Sequence, residues 1–477
     1  MKTKKSLTGT FFILLLILIS LSGYAQEQVK DKIKGSWIGS LKVKTVELTL
    51  VINIAANEKD SLTVTIDSPD QGATGLPTSR IGFNHDSLIV ESRSLGIAYK
   101  GHFNPDLTIL TGNWYQAGLS FPLTLRHSDK KFELARPQEP KPPYPYLVKD
   151  VQIPNKTEGI ELAGTLTVPK ESGRYPAVIL ITGSGPQNRD EEIYGHKPFL
   201  VLSDYLTRHG IAVLRYDDRG IAKSTGNFTS STTFDFATDV SAAVDFLKTQ
   251  PSIDTSKIGL IGHSEGGMIA PMVATGRNDI GFIVLMAGPG ITGVNILLEQ
   301  TDLISRANGV SNDEIATARK LNEEIYEVLK KTTDNEKASE KIKKLLTDYT
   351  QNQTNKKGAK KVPEEQINFQ VKTMVSPWFR YFVSFDPMEY LSKIKCPLLA
   401  INGQLDMQVS AKENLEAIEK AMIFSGNSKY TITEIPGVNH LFQTATTGSP
   451  NEYSKIEETI SPIVLEQISN WILKMTK

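Results

Sequence analysis

The pentapeptide Gly262-His263-Ser264-Glu265-Gly266 lies directly after the apolar stretch Ile258 to Ile261 and directly before another that opens at Met268. A serine hydroxyl is a weak nucleophile until a base removes its proton. The string therefore means little without a turn that exposes the serine and a base that can reach it. Glycine on both sides suits a sharp strand-to-helix turn, in which the serine takes a strained backbone and neighbouring chain approaches closely. Such a turn places the Ser264 hydroxyl at the carboxyl edge of a sheet, at a helix N-terminus that favours developing negative charge. The competing interpretation is an ordinary βα turn with a capping serine, and the strand-turn-helix context favours the nucleophile.

The base must come from one of seven histidines. His85, His102 and His127 fall in an N-terminal β-rich region, His196 and His209 precede the serine, and His263 is adjacent to it and expected to face elsewhere. His440 alone lies beyond the last strand, in the loop Pro436-Gly437-Val438-Asn439-His440. The acid that orients the base should follow another strand end. The strand Phe282 to Ala287 runs into Gly288-Pro289 with no carboxylate, whereas Leu398 to Ile401 leads into Asn402-Gly403-Gln404-Leu405-Asp406. Asp406 is preferred over Asp386, before that strand, and Glu434, inside the next one. Charge on a tetrahedral intermediate needs two donors: the backbone N–H of Glu265, and that of Ser184 in the loop Thr182-Gly183-Ser184-Gly185-Pro186. No Gly-Lys-Ser/Thr follows that loop, which argues against a phosphate cradle, and no His-Glu-x-x-His or similar spacing suggests a metal. No cofactor is expected.

These residues need a frame. Ile160 to Val168, Ala177 to Ile181, Ile211 to Tyr216, Lys257 to Gly262 and Phe282 to Ala287 read as strands, with helices at Phe199 to Arg208 and Phe236 to Thr249. Apolar strands alternating with amphipathic helices predict a doubly wound, mostly parallel α/β sheet covered on both faces. From Ile296 to about Tyr381 the chain is charged and helical, as in Ile315 to Lys331 and Lys337 to Tyr349. Alternation then resumes at Pro397 to Ile401, with a helix from Lys412, a strand at Tyr430 to Ile435 and a closing helix from Ile456. A helical insertion, about 291–385, accounts for the break.

Ahead of this frame, Ile33 to Arg126 shows short strands with turn residues every eight to twelve positions, the pattern of a small all-β barrel or sandwich. Gly35-Ser36-Trp37 and Gly112-Asn113-Trp114 echo each other faintly. Gly-x-Trp is similar to the lipocalin opening, which would imply a ligand-holding barrel; a plain accessory module is the preferred reading. Pro137, Pro140, Pro142, Pro143 and Pro145 predict a stiff spacer at 135–146. The expected division is a signal peptide at 1–25, the β domain at 26–134, the spacer, and a catalytic domain at 147–477.

The N-terminus carries Lys2, Lys4 and Lys5, the apolar run Phe11 to Ile19 and small residues at Gly23 and Ala25. At nine residues the run is short of the roughly 20 that span a bilayer, so it predicts a cleaved export signal and no membrane anchor afterwards. One cysteine, Cys396, excludes a disulfide framework, and export then points to a periplasmic or extracellular site. With 53 basic and 53 acidic residues, the chain shows no bias toward nucleic acid.

From about Val148 onward the chain resembles the α/β-hydrolase superfamily, in particular its secreted bacterial esterase branch. Ile181 to Pro186, Arg215-Tyr216-Asp217-Asp218-Arg219-Gly220, Gly262 to Gly267, Gly403 to Asp406 and Gly437 to His440 carry the likeness. Ala222 departs from it, standing where that family usually has glycine. The resemblance implies a triad in the order Ser264, Asp406, His440 and makes the helical insertion a lid. It implies a secreted serine esterase working through an acyl-enzyme on a small acyl ester. Thioesterases and serine aminopeptidase-like enzymes share the landmarks. A peptidase would need a docking group for a peptide terminus, which Glu or Asp residues of the lid could supply. A binding protein with a vestigial triad, its β domain the working part, is the rival of another class. Met374, Trp378, Phe379 and Phe382 are expected either to line an acyl pocket or to pack the lid on the core. Arg215, Asp217 and Arg219 are expected to brace the sheet edge.

Overall fold

Strand alternation in the N-terminal region produces a curled meander. A computed structural model describes residues 29–477 except 44–45, 58–60, 85, 117, 131, 133, 171 and 355–361. The expected signal at 1–25 and His85 thus lie outside the described residues. Nine strands, β1 (Gly35–Val43), β2 (Val46–Ala56), β3 (Leu62–Ser68), β4 (Ala73–Pro77), β5 (Arg80–Asn84), β6 (Ser87–Ser92), β7 (Ile97–Phe103), β8 (Ile109–Gln116) and β9 (Leu119–Ser128), form one antiparallel sheet. Its order, β4-β3-β2-β1-β9-β8-β7-β6-β5, leaves β4 and β5 as the two edges. Those edges are consecutive strands joined by Thr78 and Ser79, so the sheet must roll into a barrel. Ser92 Oγ, on β6, donates to the Pro77 carbonyl at 2.8 Å and helps to draw the edges together. Trp37, Tyr99, Leu110 and Trp114 fill the interior, which agrees with a packed module better than with a ligand-holding barrel. The Trp37 indole N–H is satisfied by the Ile33 carbonyl at 2.8 Å.

The second unit begins at Arg136. Its eight strands are β10 (Leu147–Asn155), β11 (Ile160–Val168), β12 (Tyr175–Ile181), β13 (Ala212–Tyr216), β14 (Ile253–His263), β15 (Phe282–Met286), β16 (Leu398–Gly403) and β17 (Tyr430–Ile435). The order is β10-β11-β13-β12-β14-β15-β16-β17, with β10, β11 and β13 paired antiparallel and the remaining ladders parallel. The central strands are continuous apolar runs because helices cover both faces. On one face lie α2 (Thr233–Lys248), α3 (Gly266–Gly276) and α10 (Ala411–Ser425), through Val244, Val273 and Ile418. On the other lie α1 (Pro198–Arg208) and α11 (Pro462–Met475), through Leu202, Leu206, Val464 and Ile468. The closing helix starts at Pro462 rather than Ile456, because proline, lacking an N–H, suits a first helical turn.

Between β15 and β16 come α4 (Gly293–Ala307), α5 (Asn312–Lys331), α6 (Asn335–Thr354), α7 (Glu364–Met374), α8 (Pro377–Ser384) and the short α9 (Met388–Leu391). This charged insertion has its own apolar centre, including Ile325, Leu329, Ile342 and Val371. The start of the proline-rich segment is no free spacer. Arg136 Nη2 donates to the carbonyls of Ser454 at 2.9 Å and Tyr194 at 3.0 Å, and Gln138 Nε2 donates to that of Ile460 at 2.7 Å. Among the described residues no helix is long and apolar enough to cross a membrane.

Candidate active site

Ser264 is the first of the two residues between β14 and α3, and the backbone there leaves no alternative to glycine at two nearby positions. A Cβ on Gly262 would lie 2.0 Å from the Gly266 carbonyl oxygen, and one on Gly266 would lie 2.2 Å from that of Ile181. Close approach of the chain to itself lets Ser264 adopt φ +52°, a strained value for a residue with a side chain. The Ser264 N–H is held by the Met286 carbonyl of the next strand at 2.9 Å.

His440, which lines the same cavity as that serine, meets Asp406. His440 Nδ1 lies 2.7 Å from Asp406 Oδ2, and both side chains are buried. Asp406 Oδ1 accepts the backbone N–H groups of Gln408 at 2.7 Å and Val409 at 2.9 Å. The carboxylate is therefore fixed by its own loop and turned toward the imidazole. Of the rival acids, Asp386 caps α9 through the Met388 N–H at 3.0 Å, and Glu434 is exposed on β17. Ser184, Ser264, Glu265 and His440 line one cavity of about 220 Å³, and Asp406 backs His440. The structure thus brings together all five residues that the sequence singled out.

The loop 182–187 is set by two carboxylates the sequence did not reveal. Asp218 Oδ1 accepts the Thr182 hydroxyl at 2.8 Å, and its Oδ2 accepts the Gln187 N–H at 2.9 Å. Burial pushes the Asp218 carboxyl up to about 8. Glu191 Oε1 accepts the Gly183 N–H at 2.7 Å. A third carboxylate, that of Glu265, is buried beside the nucleophile. Its Oε1 accepts the Thr233 hydroxyl at 2.7 Å and the Trp378 indole N–H at 2.8 Å, and burial raises its pKa against those bonds and one from Ser184. Among the described residues no group of three or more His, Cys, Asp or Glu side chains is arranged to hold a metal ion.

Residues 158–422, more than half of the chain, match the family of X-Pro dipeptidyl-peptidases, the S15 family. The chain belongs to this family. With that membership, and with its sheet order, it is a member of the α/β-hydrolase superfamily. It is similar to esterase EstD of Thermotoga maritima, with 28% identity over 314 residues. That match spans 66% of this chain and 66% of the esterase, a little under two thirds of its length. Two solved structures share the outline at lower similarity. They are the α/β-hydrolase GrgF from Penicillium sp. sh18 (16% identity, 69% of this chain and 99% of that one, TM-score 0.44) and the Pyrococcus furiosus esterase Pf2001 (18% identity, 73% and 100%, TM-score 0.42).

In this S15-family hydrolase the expected lid residues divide. Trp378 and Phe382 line the cavity together with Ile296 and Leu297 of α4, whereas Met374 and Phe379 pack into the insertion's own centre. Arg219 pairs with Asp239 at 2.7 Å, Arg189 with Asp217 at 2.8 Å and Arg215 with Asp190, so this cluster braces the sheet edge. His263 corrects an expectation. It does not face elsewhere: its ring stands 4.9 Å from that of His440, centroid to centroid, and it lines the cavity. Nothing in the sequence marked Glu191, which lies 72 positions from its histidine partner.

Proposed function

We propose that this protein is a serine hydrolase that cleaves carboxylic esters of short acyl groups. Ser264 Oγ attacks the acyl carbon while His440 Nε2 takes the hydroxyl proton. Asp406 keeps Nδ1 protonated and stabilises the imidazolium. The N–H groups of Ser184 and Glu265 bind the oxyanion. The intermediate collapses, the alcohol leaves with the proton from His440, and an acyl-enzyme remains. Water, deprotonated by the same histidine, repeats the sequence and releases the acid. The observation that carries this reading is the buried Asp406–His440 pair beside the cavity that Ser264 also lines. Short acyl chains follow from a cavity of about 220 Å³, below the roughly 300 Å³ at which pockets for drug-sized ligands begin. Export is proposed from the lysine-led apolar leader sequence alone.

The family match supports a second reading, removal of X-Pro dipeptides. Such an enzyme must hold a free peptide ammonium, usually with a carboxylate. The carboxylates lining this cavity already carry internal bonds: Glu191 from Gly183 and His263, and Glu265 from Thr233 and Trp378. That favours the ester. Comparing kcat/KM for short p-nitrophenyl esters and X-Pro p-nitroanilides tests the choice, and a preference for the anilide overturns it. A fluorophosphonate probe tests the nucleophile: labelling is expected on the parent and absent in Ser264→Ala. A parent that stays unlabelled would leave only a binding role.

A further inference from the structure

Beside the proposed triad stands a second histidine–carboxylate pair with every polar atom of its histidine in use. His263 Nδ1 is 2.9 Å from Glu191 Oε1, and His263 Nε2 is 3.0 Å from the carbonyl oxygen of His440. Both partners accept. A neutral imidazole has one N–H and can satisfy only one of them, so the arrangement favours the doubly protonated, positively charged ring. Burial opposes that charge, but the Glu191 carboxylate and the His440 carbonyl together hold the His263 pKa above its ordinary value. Asp406 and His440 are the other titratable groups facing this ring.

The pair joins three separate pieces of the site. Glu191 also takes the Gly183 N–H at 2.7 Å, next to the proposed oxyanion donor Ser184. His263 is the last residue of β14 and is bonded covalently to the nucleophile. Its other nitrogen grips the backbone of the proposed base. Glu191 reaches this position from a backbone at φ +50°, a strained conformation for a glutamate. Strain of that kind persists where surrounding contacts over-determine it, and it clusters at functional sites. Both side chains are nearly inaccessible, so neither is there to meet solvent.

We propose that Glu191 and His263 are positioning residues for acyl transfer: a buried carboxylate–imidazolium clamp that sets the oxyanion loop and the His440 loop against Ser264. The inference rests on the reading of Ser264 as nucleophile. The clamp exchanges no proton with substrate; His440 does that. Its contribution is registry, because a misplacement on the order of 1 Å in such a site can cost about a hundredfold in rate.

The test uses the full-length protein and kcat on p-nitrophenyl acetate per site titrated with a fluorophosphonate, so that loss of folded enzyme does not count as loss of rate. Glu191→Ala should lower kcat per titrated site by about 30- to 100-fold with KM within about threefold. Glu191→Gln, which can still accept from Gly183, should recover at least about tenfold of that loss. His263→Ala should resemble Glu191→Ala, and the double variant should be little worse than the weaker single, as expected for groups acting as a unit. A Glu191→Ala enzyme at parental kcat per site, a Glu191→Gln no better than alanine, or single losses that multiply in the double variant each overturn the clamp. A parent that titrates normally beside an unaffected Glu191→Ala defeats the clamp alone. A parent that the probe does not label defeats the reading of Ser264 and the clamp with it.

Discussion

Asp406 shows how much one side chain can be made to specify. Two backbone N–H groups hold one of its oxygens, which leaves the other to face His440 Nδ1. In Asp406→Asn the same two donors would claim the amide oxygen and turn the NH₂ toward the imidazole. Nδ1 would then have to accept, Nε2 would carry the proton, and the ring could no longer take one from Ser264. Asp406→Asn is therefore expected to keep its fold and lose kcat by about 10⁴-fold; a loss below tenfold on short p-nitrophenyl esters would remove Asp406 from the role. Asp218 makes a different argument, about pH. Its carboxyl, raised by burial to about 8, holds its proton more tightly folded than unfolded. Such a group adds stability below the ordinary carboxylate value near 4 and loses that contribution as pH rises toward about 8. Asp218→Asn mimics the protonated acid and can keep one bond to Thr182 and one to Gln187. Urea midpoints of variant and parent should accordingly be similar near pH 5 and shift in favour of the variant by pH 8. A constant gap between them would show that Asp218 is ionised in the fold throughout.

At the level of elements, the loop after β13 offers a test of strain. Ala222 sits at φ +47°, where the resembling family places glycine. A left-handed residue with a Cβ costs roughly 1–2 kcal/mol, and glycine returns part of this as extra freedom in the unfolded chain. Ala222→Gly should therefore be neutral or stabilising by up to about 1 kcal/mol, and a drop in thermal midpoint would show that the loop is not strained there. The loop also illustrates what a sequence displays. Strands β12, β14, β15 and β16 were legible because burial on both faces demands continuous apolar residues. The edge strand β10 was not, since Lys149, Asp150 and Gln152 lie exposed along it. Strands β4 and β5 offer no such run either: they form the barrel's edges, are largely unburied and contain Gly75 and Gly82. The five site residues were legible because strand ends and glycine-rich turns mark them. Glu191 was not, because its place depends on a positive φ and a partner on a distant strand, neither of which has a local pattern.

For the molecule as a whole, the division at Ala135 and Arg136 determines where a working truncation must begin. The β barrel closes around its own centre of Trp37, Tyr99 and Trp114, and the hydrolase unit has two sheet faces and the lid centre to itself. The prolines predict a stiff spacer and, after it, a catalytic domain from 147. Arg136 and Gln138 instead tie the start of that segment to 194–195 and 454–460. The second of these segments supports the site: Tyr453, immediately before it, receives a bond at its hydroxyl from Gln408, which lines the cavity. A chain starting at Arg136 should thus retain whatever hydrolysis of p-nitrophenyl esters the full chain shows, and the thermal transition of the hydrolase unit. One starting at Leu147 forfeits several hydrogen bonds worth on the order of 1 kcal/mol each and should melt about 4–10 °C lower. Calorimetry of the two truncations against the full chain measures this directly. Equal midpoints would mean that the proline-rich segment contributes nothing to the hydrolase unit. Loss of folding in the chain starting at Arg136 would mean that the hydrolase unit depends on the barrel for its stability.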